Sequence, residues 1–172
     1  MEIVEIAKQA IKGDDQAFLQ IMKLYKDTLY RTAFAFLKNE HDALEAIQEV
    51  TFRAYQKIHT VKEPSYLKTW LVRIMMNYCQ DQLKKSKRYS SSGVRHEIGY
   101  SDDTTHLEMN EAIASLSNGE QQLIFLKYFQ NIKIKEIAEL EKIPEGTVKS
   151  RLHKALKTLR NFLSEKGDTD HV

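Results

Sequence analysis

Cysteine, proline and glycine are all scarce in this chain, which has one cysteine, two prolines and six glycines in 172 residues. The lone Cys79 excludes an internal disulfide and fits a reducing compartment, with a cytoplasmic location expected. So little turn-forming material leaves few places to interrupt a helix, and predicts an all-α fold. No long apolar run is present either. The densest patches, Ala33–Leu37 and Leu123–Leu126, fall far short of the roughly 20 residues that a membrane span needs. The opening MEIVEIAKQAIKG is an acidic-basic amphipathic pattern and not a signal peptide. There is no glycine-rich phosphate loop and no paired-cysteine motif, and the six histidines lack the spacing of a zinc-binding helix. Asp42, Glu45 and Glu49 read as a solvated helix face and not as a metal or acid-base group. The expectation is therefore a protein that is not an enzyme and that uses no metal, no cofactor and no small-molecule substrate.

What is present is segregated charge. Hydrophobic residues make up 42%, enough for a packed core, and the net charge is only +2. That balance conceals two basic blocks around an acidic one. Lys84, Lys85, Lys87 and Arg88 form the first block, and the segment after Gly146 forms the second. Between His96 and Leu126 there is no lysine or arginine, whereas Glu97, Asp102, Asp103, Glu108, Glu111 and Glu120 are present. Such a pattern points to two contacts with a polyanion, joined by a segment that avoids it.

Helical periodicity orders the first half of the chain. Glu2 to Lys12 predicts a short helix ended by Gly13. Asp14 or Asp15 caps a second helix that runs to about Leu37, with Phe18, Ile21, Tyr25, Leu29, Ala33 and Phe36 as core. Its aromatic residues read as packing and not as a base-stacking platform. Asn39-Glu40-His41-Asp42 caps a third helix to about Ile58. There Leu44, Ile47, Thr51, Ala54, Tyr55 and Ile58 are predicted to share the buried side, with Asp42, Glu45, Gln48, Glu49 and Gln56 opposite. Phe52 falls among those acids by helical angle. Two placements stay open for it, an outward protein-binding ridge or a fold back against a neighbouring helix. His59 to Ser65 predicts a loop, because Glu63-Pro64 breaks the pattern and can begin the next helix. That fourth helix is predicted to bury Leu67, Trp70, Leu71, Ile74 and Tyr78. Its polar ridge would be Arg73, Asn77, Gln80, Asp81, Lys84 and Arg88, which offers donors to both phosphates and base edges.

Ser90-Ser91-Ser92-Gly93 opens a stretch without apolar periodicity, read as a flexible acidic linker over 90–106. This gives domains at 1–89 and 107–172. In the second, order is predicted to return at Leu107–Leu116. Ser117 to Glu120 then matches a capping box. The helix after it carries Leu123, Ile124, Leu126 and Phe129 and ends at Asn131. The residues after Lys166 read as a frayed tail.

The strongest single signal lies in Lys133–Arg160. Ile134, Ile137 and Ala138 share one helix face, and Ile143-Pro144 makes a turn. From about Glu145 a second helix places Val148, Leu152, Ala155, Leu156 and Leu159 on one side. Ser150, His153, Lys154, Lys157 and Arg160 lie opposite, with Lys149 and Arg151 flanking. No acid occurs between Gly146 and Ser164. A helix apolar on one side and basic on the other, after a proline-bearing turn, suits insertion into a DNA major groove.

Three stretches together resemble the sigma-70 family, in particular its small extracytoplasmic-function (ECF) members. Asp42-Ala43-Leu44-Glu45-Ala46-Ile47-Gln48-Glu49 resembles the acidic signature of the family's second domain. Thr69-Trp70-Leu71-Val72-Arg73-Ile74, with Asn77 and Asp81, resembles its minus-ten-reading helix. Glu136-Ile137-Ala138 through Pro144-Glu145-Gly146-Thr147-Val148-Lys149-Ser150-Arg151-Leu152 resembles the fourth domain's helix-turn-helix. The resemblance implies an initiation factor that directs core RNA polymerase to promoter DNA. Asp42, Glu45, Gln48, Glu49 and Phe52 would bind the clamp helices of the beta-prime subunit, and the beta flap would be a further polymerase contact. Lys149, Ser150, His153, Lys154 and Lys157 would face the minus-thirty-five duplex, with Thr147 and Arg151 nearer phosphates. The loop with Thr60, Lys62, Ser65 and Tyr66 would hold a flipped minus-ten base, and Arg73, Asn77, Lys84, Lys85 and Arg88 would hold the promoter around it. The resemblance also implies a membrane-anchored anti-sigma factor that keeps the chain at the inner face of the membrane until a stress signal arrives.

Three positions depart from the family pattern. Lys142 stands where the turn commonly has glycine. A positive φ there costs about 1 kcal/mol, so either the lysine bears that cost or the turn differs locally. Thr51 replaces a common phenylalanine and shifts the aromatic to Phe52. Ser117 replaces a common proline. Two other readings compete with the initiation factor: a stand-alone helix-turn-helix regulator, and a helical adaptor whose basic faces bind an acidic protein.

Overall fold

The computed structural model describes residues 2–89 and 104–169, and among these every regular element is helical. The chain divides into two compact units, Met1–Ile98 and Gly99–Val172. The linker expected over 90–106 lies almost wholly outside the described residues, as do the acids at 97, 102 and 103.

In the first unit, α1 (Glu2–Ile11), α2 (Asp15–Leu37), α3 (Glu40–Lys57) and α4 (Leu67–Tyr89) pack around one core. Each boundary has a local cause. Gly13 closes α1 at φ +106, a conformation in which a side chain would be strained. Asp14 caps α2 by accepting from the Ala17 amide at 2.9 Å, and Asn39 caps α3 through the Asp42 amide at 2.9 Å. Between α3 and α4 the chain makes two 3-10 turns, Ile58–Thr60 and Pro64–Tyr66, with Pro64 at the first position of the second. The α2 core is as expected, with Phe18, Ile21, Leu29 and Ala33 buried and Tyr25 and Phe36 half-buried. Cys79 is fully buried, and that burial pushes its thiol up to about 12, so it is neutral and shielded.

α3 is rotated relative to the predicted orientation. Its buried residues are Ala43, Ala46, Val50 and Ala54, whereas Leu44 is 47% and Tyr55 51% exposed. Small side chains permit the helix backbones to approach closely, and α3 packs directly on α2 and α4. On α4 the fully buried set is Leu67, Thr69, Leu71, Val72, Met75, Met76, Cys79 and Gln80, with Trp70, Ile74 and Tyr78 half-buried at its margin.

The second unit contains α5 (Thr104–Ala114), α6 (Asn118–Ile124), α7 (Ile134–Glu141) and α8 (Glu145–Thr169). The capping box is present. Glu120's amide donates to Ser117 Oγ at 3.2 Å, and the Glu120 carboxylate accepts from Ser117's amide and hydroxyl. A π turn, Phe125–Phe129, extends α6, and Asn131 at φ +53 ends it. α8 continues to Thr169, past the Lys166 at which fraying was expected to begin, and residues 170–172 lie outside the described ones.

Candidate nucleic-acid and protein interfaces

Three faces carry the candidate residues. The first is the helix-turn-helix of α7 and α8. α7 ends at Lys142 in the left-handed conformation, φ +57 and ψ 43. The Ile143 amide donates to the Ala138 carbonyl at 3.1 Å and the Lys142 amide to that of Glu139 at 3.4 Å, the paired bonds of a Schellman ending. The turn thus keeps its left-handed residue despite the lysine side chain. Pro144 then accepts from the Thr147 and Val148 amides, and α8 begins. Val148, Leu152 and Ala155 are buried, with Leu156 and Leu159 half-buried, and they orient α8 on the unit's core.

That packing turns Lys149, Ser150, Arg151, His153, Lys154, Lys157 and Arg160 to solvent, with Thr147 half-buried. Leaving out Thr147 and Arg151, these residues span roughly 140° of the helix at 3.6 residues per turn. No carboxylate pairs with any of their cations among the described residues, so their field is undiminished by direct pairing. Ser150's hydroxyl donates to the Thr147 carbonyl at 3.0 Å, which leaves its oxygen free to accept. Arg151 sits differently. With Lys154 it lines a cleft of about 290 Å³ whose other walls include Ser117, Glu120, Glu141 and Ile143. Two carboxylates in one cleft weaken the attraction it offers a phosphate.

The second face belongs to α4 and the loop before it. Arg73 is half-buried, and Asn77, Asp81, Lys84, Lys85 and Arg88 are exposed, so the expected ridge exists with one correction. Gln80 is 5% exposed and belongs to the interior, because it falls at the ridge's edge beside buried Met76 and Cys79. In the loop, Thr60, Lys62 and Ser65 are exposed and Tyr66 is half-buried. Thr60's hydroxyl donates to the Lys57 carbonyl at 2.7 Å, and Ser65's hydroxyl and amide donate to Glu63 Oε1 at 2.9 and 3.3 Å. Lys62 is the loop's exposed cation.

The third face is the outward side of α3. Phe52 is 59% exposed, which settles its placement as outward. Asp42, Glu45 and Gln48 are exposed beside it and Glu49 is half-buried. Glu45 meets His41 at 3.2 Å, and Glu49 accepts from Arg53 Nε at 3.2 Å. Arg53 in turn lies 5.1 Å above the Tyr78 ring. Burial, then the charges of Glu49 and Glu45, raise the Tyr78 hydroxyl's pKa, so the acids lie close to α4. Leu44, Gln48, Phe52 and Tyr55 follow one another at helical spacing along this side. Tyr55 is tied down, its hydroxyl donating to Asp15 at 2.9 Å and its ring edge-on to Phe18 at 5.2 Å. The face is an apolar strip with an acidic border.

Comparison with known proteins agrees with this anatomy. Residues 21–89 match the sigma-70 region 2 family and residues 106–159 match sigma-70 region 4. Over 96% of its length, and 98% of the relative's, the chain is 33% identical to the ECF RNA polymerase sigma factor SigW of Bacillus subtilis. Over 82% of its length and 87% of the other, it is 32% identical to the RNA polymerase sigma factor SigV of the same organism. The chain belongs to the sigma-70 family, among its ECF sigma factors. Two solved structures share this ECF sigma factor's fold. CnrH in complex with the cytosolic domain of CnrY matches with a TM-score of 0.65 at 20% identity, over 95% of this chain and 97% of that one. The sigma factor RpoE of Bartonella quintana, in complex with the anti-sigma factor NepR, matches with a TM-score of 0.60 at 23% identity, over 86% and 96%.

Sequence reasoning missed two members of the α3 face of this sigma factor, Leu44 and Tyr55. Their size suggested burial. The usable signal was the run of small residues at positions 43, 46, 50 and 54, which has helical spacing of its own.

Proposed function

We propose that this ECF sigma factor binds core RNA polymerase through the α3 face and directs it to promoters through two DNA contacts, one on each unit. The observation that carries this reading is the chemical division among the exposed faces. α3 presents Leu44 and Phe52 bordered by Glu45 and Glu49, which suits a protein partner. α8 presents cations that no carboxylate pairs with among the described residues, which suits a duplex. On this reading α3 docks on the beta-prime clamp helices, and a separate contact engages the beta flap. Lys149, Ser150, His153, Lys154 and Lys157 face the minus-thirty-five groove, with Thr147 and Arg151 toward phosphates. The Thr60–Tyr66 loop receives a flipped minus-ten base, and Arg73, Asn77, Lys84, Lys85 and Arg88 hold the surrounding strands. Basic side chains hold the backbone there, while a melted base needs a pocket with donors to its edge.

Polymerisation itself belongs to the partner, and the sigma-70 family is not enzymatic. The chain works in the cytoplasm; among its described residues no helix is long and apolar enough to cross a membrane. Its regulator is an anti-sigma factor anchored in the membrane, which occludes the chain until an envelope or stress signal releases it. The complexes of RpoE with NepR and of CnrH with the cytosolic domain of CnrY support regulation of this type.

Runoff transcription with purified core polymerase tests the proposal. Addition of the protein should direct initiation from a restricted set of a promoter library. Absence of stimulation across the library would sink it. A footprint by the protein alone at nanomolar concentration would favour the stand-alone regulator.

A further inference from the structure

α1 makes a contact that its sequence does not announce. It packs on α2, and also against both 3-10 turns of the loop between α3 and α4. Its inward residues Ala7 and Ala10 are each 1% exposed and belong to the same core of the first unit as Ile58 and Val61 of that loop and Leu67 at the start of α4. Ile6 and Ile11 pack against the same cluster.

Several of the loop's bonds are local. Val61's amide donates to the Ile58 carbonyl at 3.0 Å and Tyr66's to that of Glu63 at 3.0 Å, alongside the Thr60 and Ser65 bonds already described. Bonds of this reach shape each turn but do not fix where the loop sits on the body of the unit. Burial of Ile58, Val61 and Leu67 does, and α1 contributes to it. Ala7 and Ala10 are each 1% exposed, so a longer side chain at either would have no room and would push α1 off its neighbours, the two turns among them.

We propose that α1 is a positioning element for promoter opening: it seats the Thr60–Tyr66 loop so that Lys62, Ser65 and Tyr66 present a fixed surface to the melted minus-ten strand. The inference rests on the minus-ten reading of that loop. α1 touches no DNA on this account and acts through Ile58, Val61 and Leu67.

The test uses full-length protein with core polymerase. Ala10→Leu forces α1 outward, and Ile6→Ala is the milder variant should the first fail to fold. A double variant of the loop surface, Lys62→Ala with Ser65→Ala, tests the underlying reading. Three quantities are measured: affinity for core polymerase, rate of promoter opening, and hydrogen exchange of the Val61 and Tyr66 amides against those of the α4 interior. The α1 variants should open promoters about tenfold more slowly, the scale on which a misplaced group costs rate. Loop amides should exchange faster, while α4 exchange and core affinity stay at their original values. Unchanged opening in the α1 variants, with opening impaired in the loop variant, overturns the α1 role and leaves the loop reading intact. Parallel loss of core affinity and α4 protection also overturns it, since α1 would then only support the whole bundle. If neither the loop variant nor the α1 variants alter opening, the loop reading fails and the α1 role falls with it.

Discussion

α3 and α8 are both amphipathic helices, yet they meet their surroundings in opposite ways. α8 buries Val148, Leu152 and Ala155 and shows cations. α3 buries three alanines and a valine and shows Leu44, Phe52 and Tyr55 among acids. Burial on α8 follows hydrophobicity, whereas on α3 it follows size, because tight helix packing selects small residues and leaves larger ones for the outside. The outward faces differ accordingly. A lysine-rich helix acts at a distance and loses attraction as salt rises. An apolar strip with an acidic border acts only on contact, and its energy comes from excluding water around a few anchors.

The largest effect should come from reversing charge on the α3 border. Glu45→Lys with Glu49→Lys is expected to weaken core polymerase binding by 100-fold or more, on the order of 3 kcal/mol, since repulsion replaces attraction next to a desolvated anchor. Phe52→Ala alone should cost about 2 kcal/mol of binding. Thermal unfolding should hardly move, because Glu45 and Phe52 are exposed, Glu49 is only half-buried, and the Glu49–Arg53 pair contributes at most about 0.5 kcal/mol. A binding titration paired with a melting curve checks both halves, and retained polymerase affinity would remove α3 from the interface.

The size rule itself can be tested within α3. Ala46→Leu places a larger side chain at a position that is 0% exposed and should destabilise the protein by about 1–3 kcal/mol through overpacking. Leu44→Ala, although it deletes more apolar surface, should stay within about 0.5 kcal/mol because the site is already exposed. Denaturant unfolding measures both. The reverse ranking would restore the orientation read from hydrophobicity alone.

α8 should respond in a different coordinate. Lys149→Ala and Lys157→Ala should each cost roughly 1 kcal/mol of minus-thirty-five duplex affinity at moderate salt. Each should also reduce the slope of log affinity against log salt by about 0.9. His153→Ala should instead alter preference between base pairs with little change of slope. Salt titrations on two duplexes that differ at one position separate these outcomes.

The sequence was most legible where chemistry and geometry repeat one another. The turn at Ile143-Pro144, the start of α8 at Glu145 and the Ser117–Glu120 box each rest on a local bond that a short motif specifies. The loop residues Thr60, Lys62 and Ser65 emerged at the surface as expected. The α3 face was half legible. Its acids were recognisable, but Leu44 and Tyr55 were assigned to the core because periodicity reports a stripe without saying how close the neighbouring helix lies. Gln80 failed for a related reason, since a polar residue at the edge of a ridge is read as solvent-facing although α4 takes it inside. The contact of α1 with the loop was invisible, as it joins two segments far apart in sequence.

The smallest predicted effect concerns the turn of the helix-turn-helix. Lys142 occupies φ +57, where a side chain is disfavoured by about 1 kcal/mol relative to glycine. Glycine would relieve that strain but lose more conformational entropy on folding, so Lys142→Gly should stabilise the second unit by about 0.5 kcal/mol. Lys142→Ala is the necessary comparison. It removes the charge and most of the side chain but keeps the Cβ, and should give no such gain. If alanine stabilises as much as glycine, the lysine's cost is electrostatic or steric at the turn and not conformational. If neither does, the Schellman bonds from Ile143 and Lys142 already offset the strain. A gain from glycine alone would show that the turn retains its left-handed residue against the preference of its own side chain, because the angle between α7 and α8 leaves the backbone no alternative.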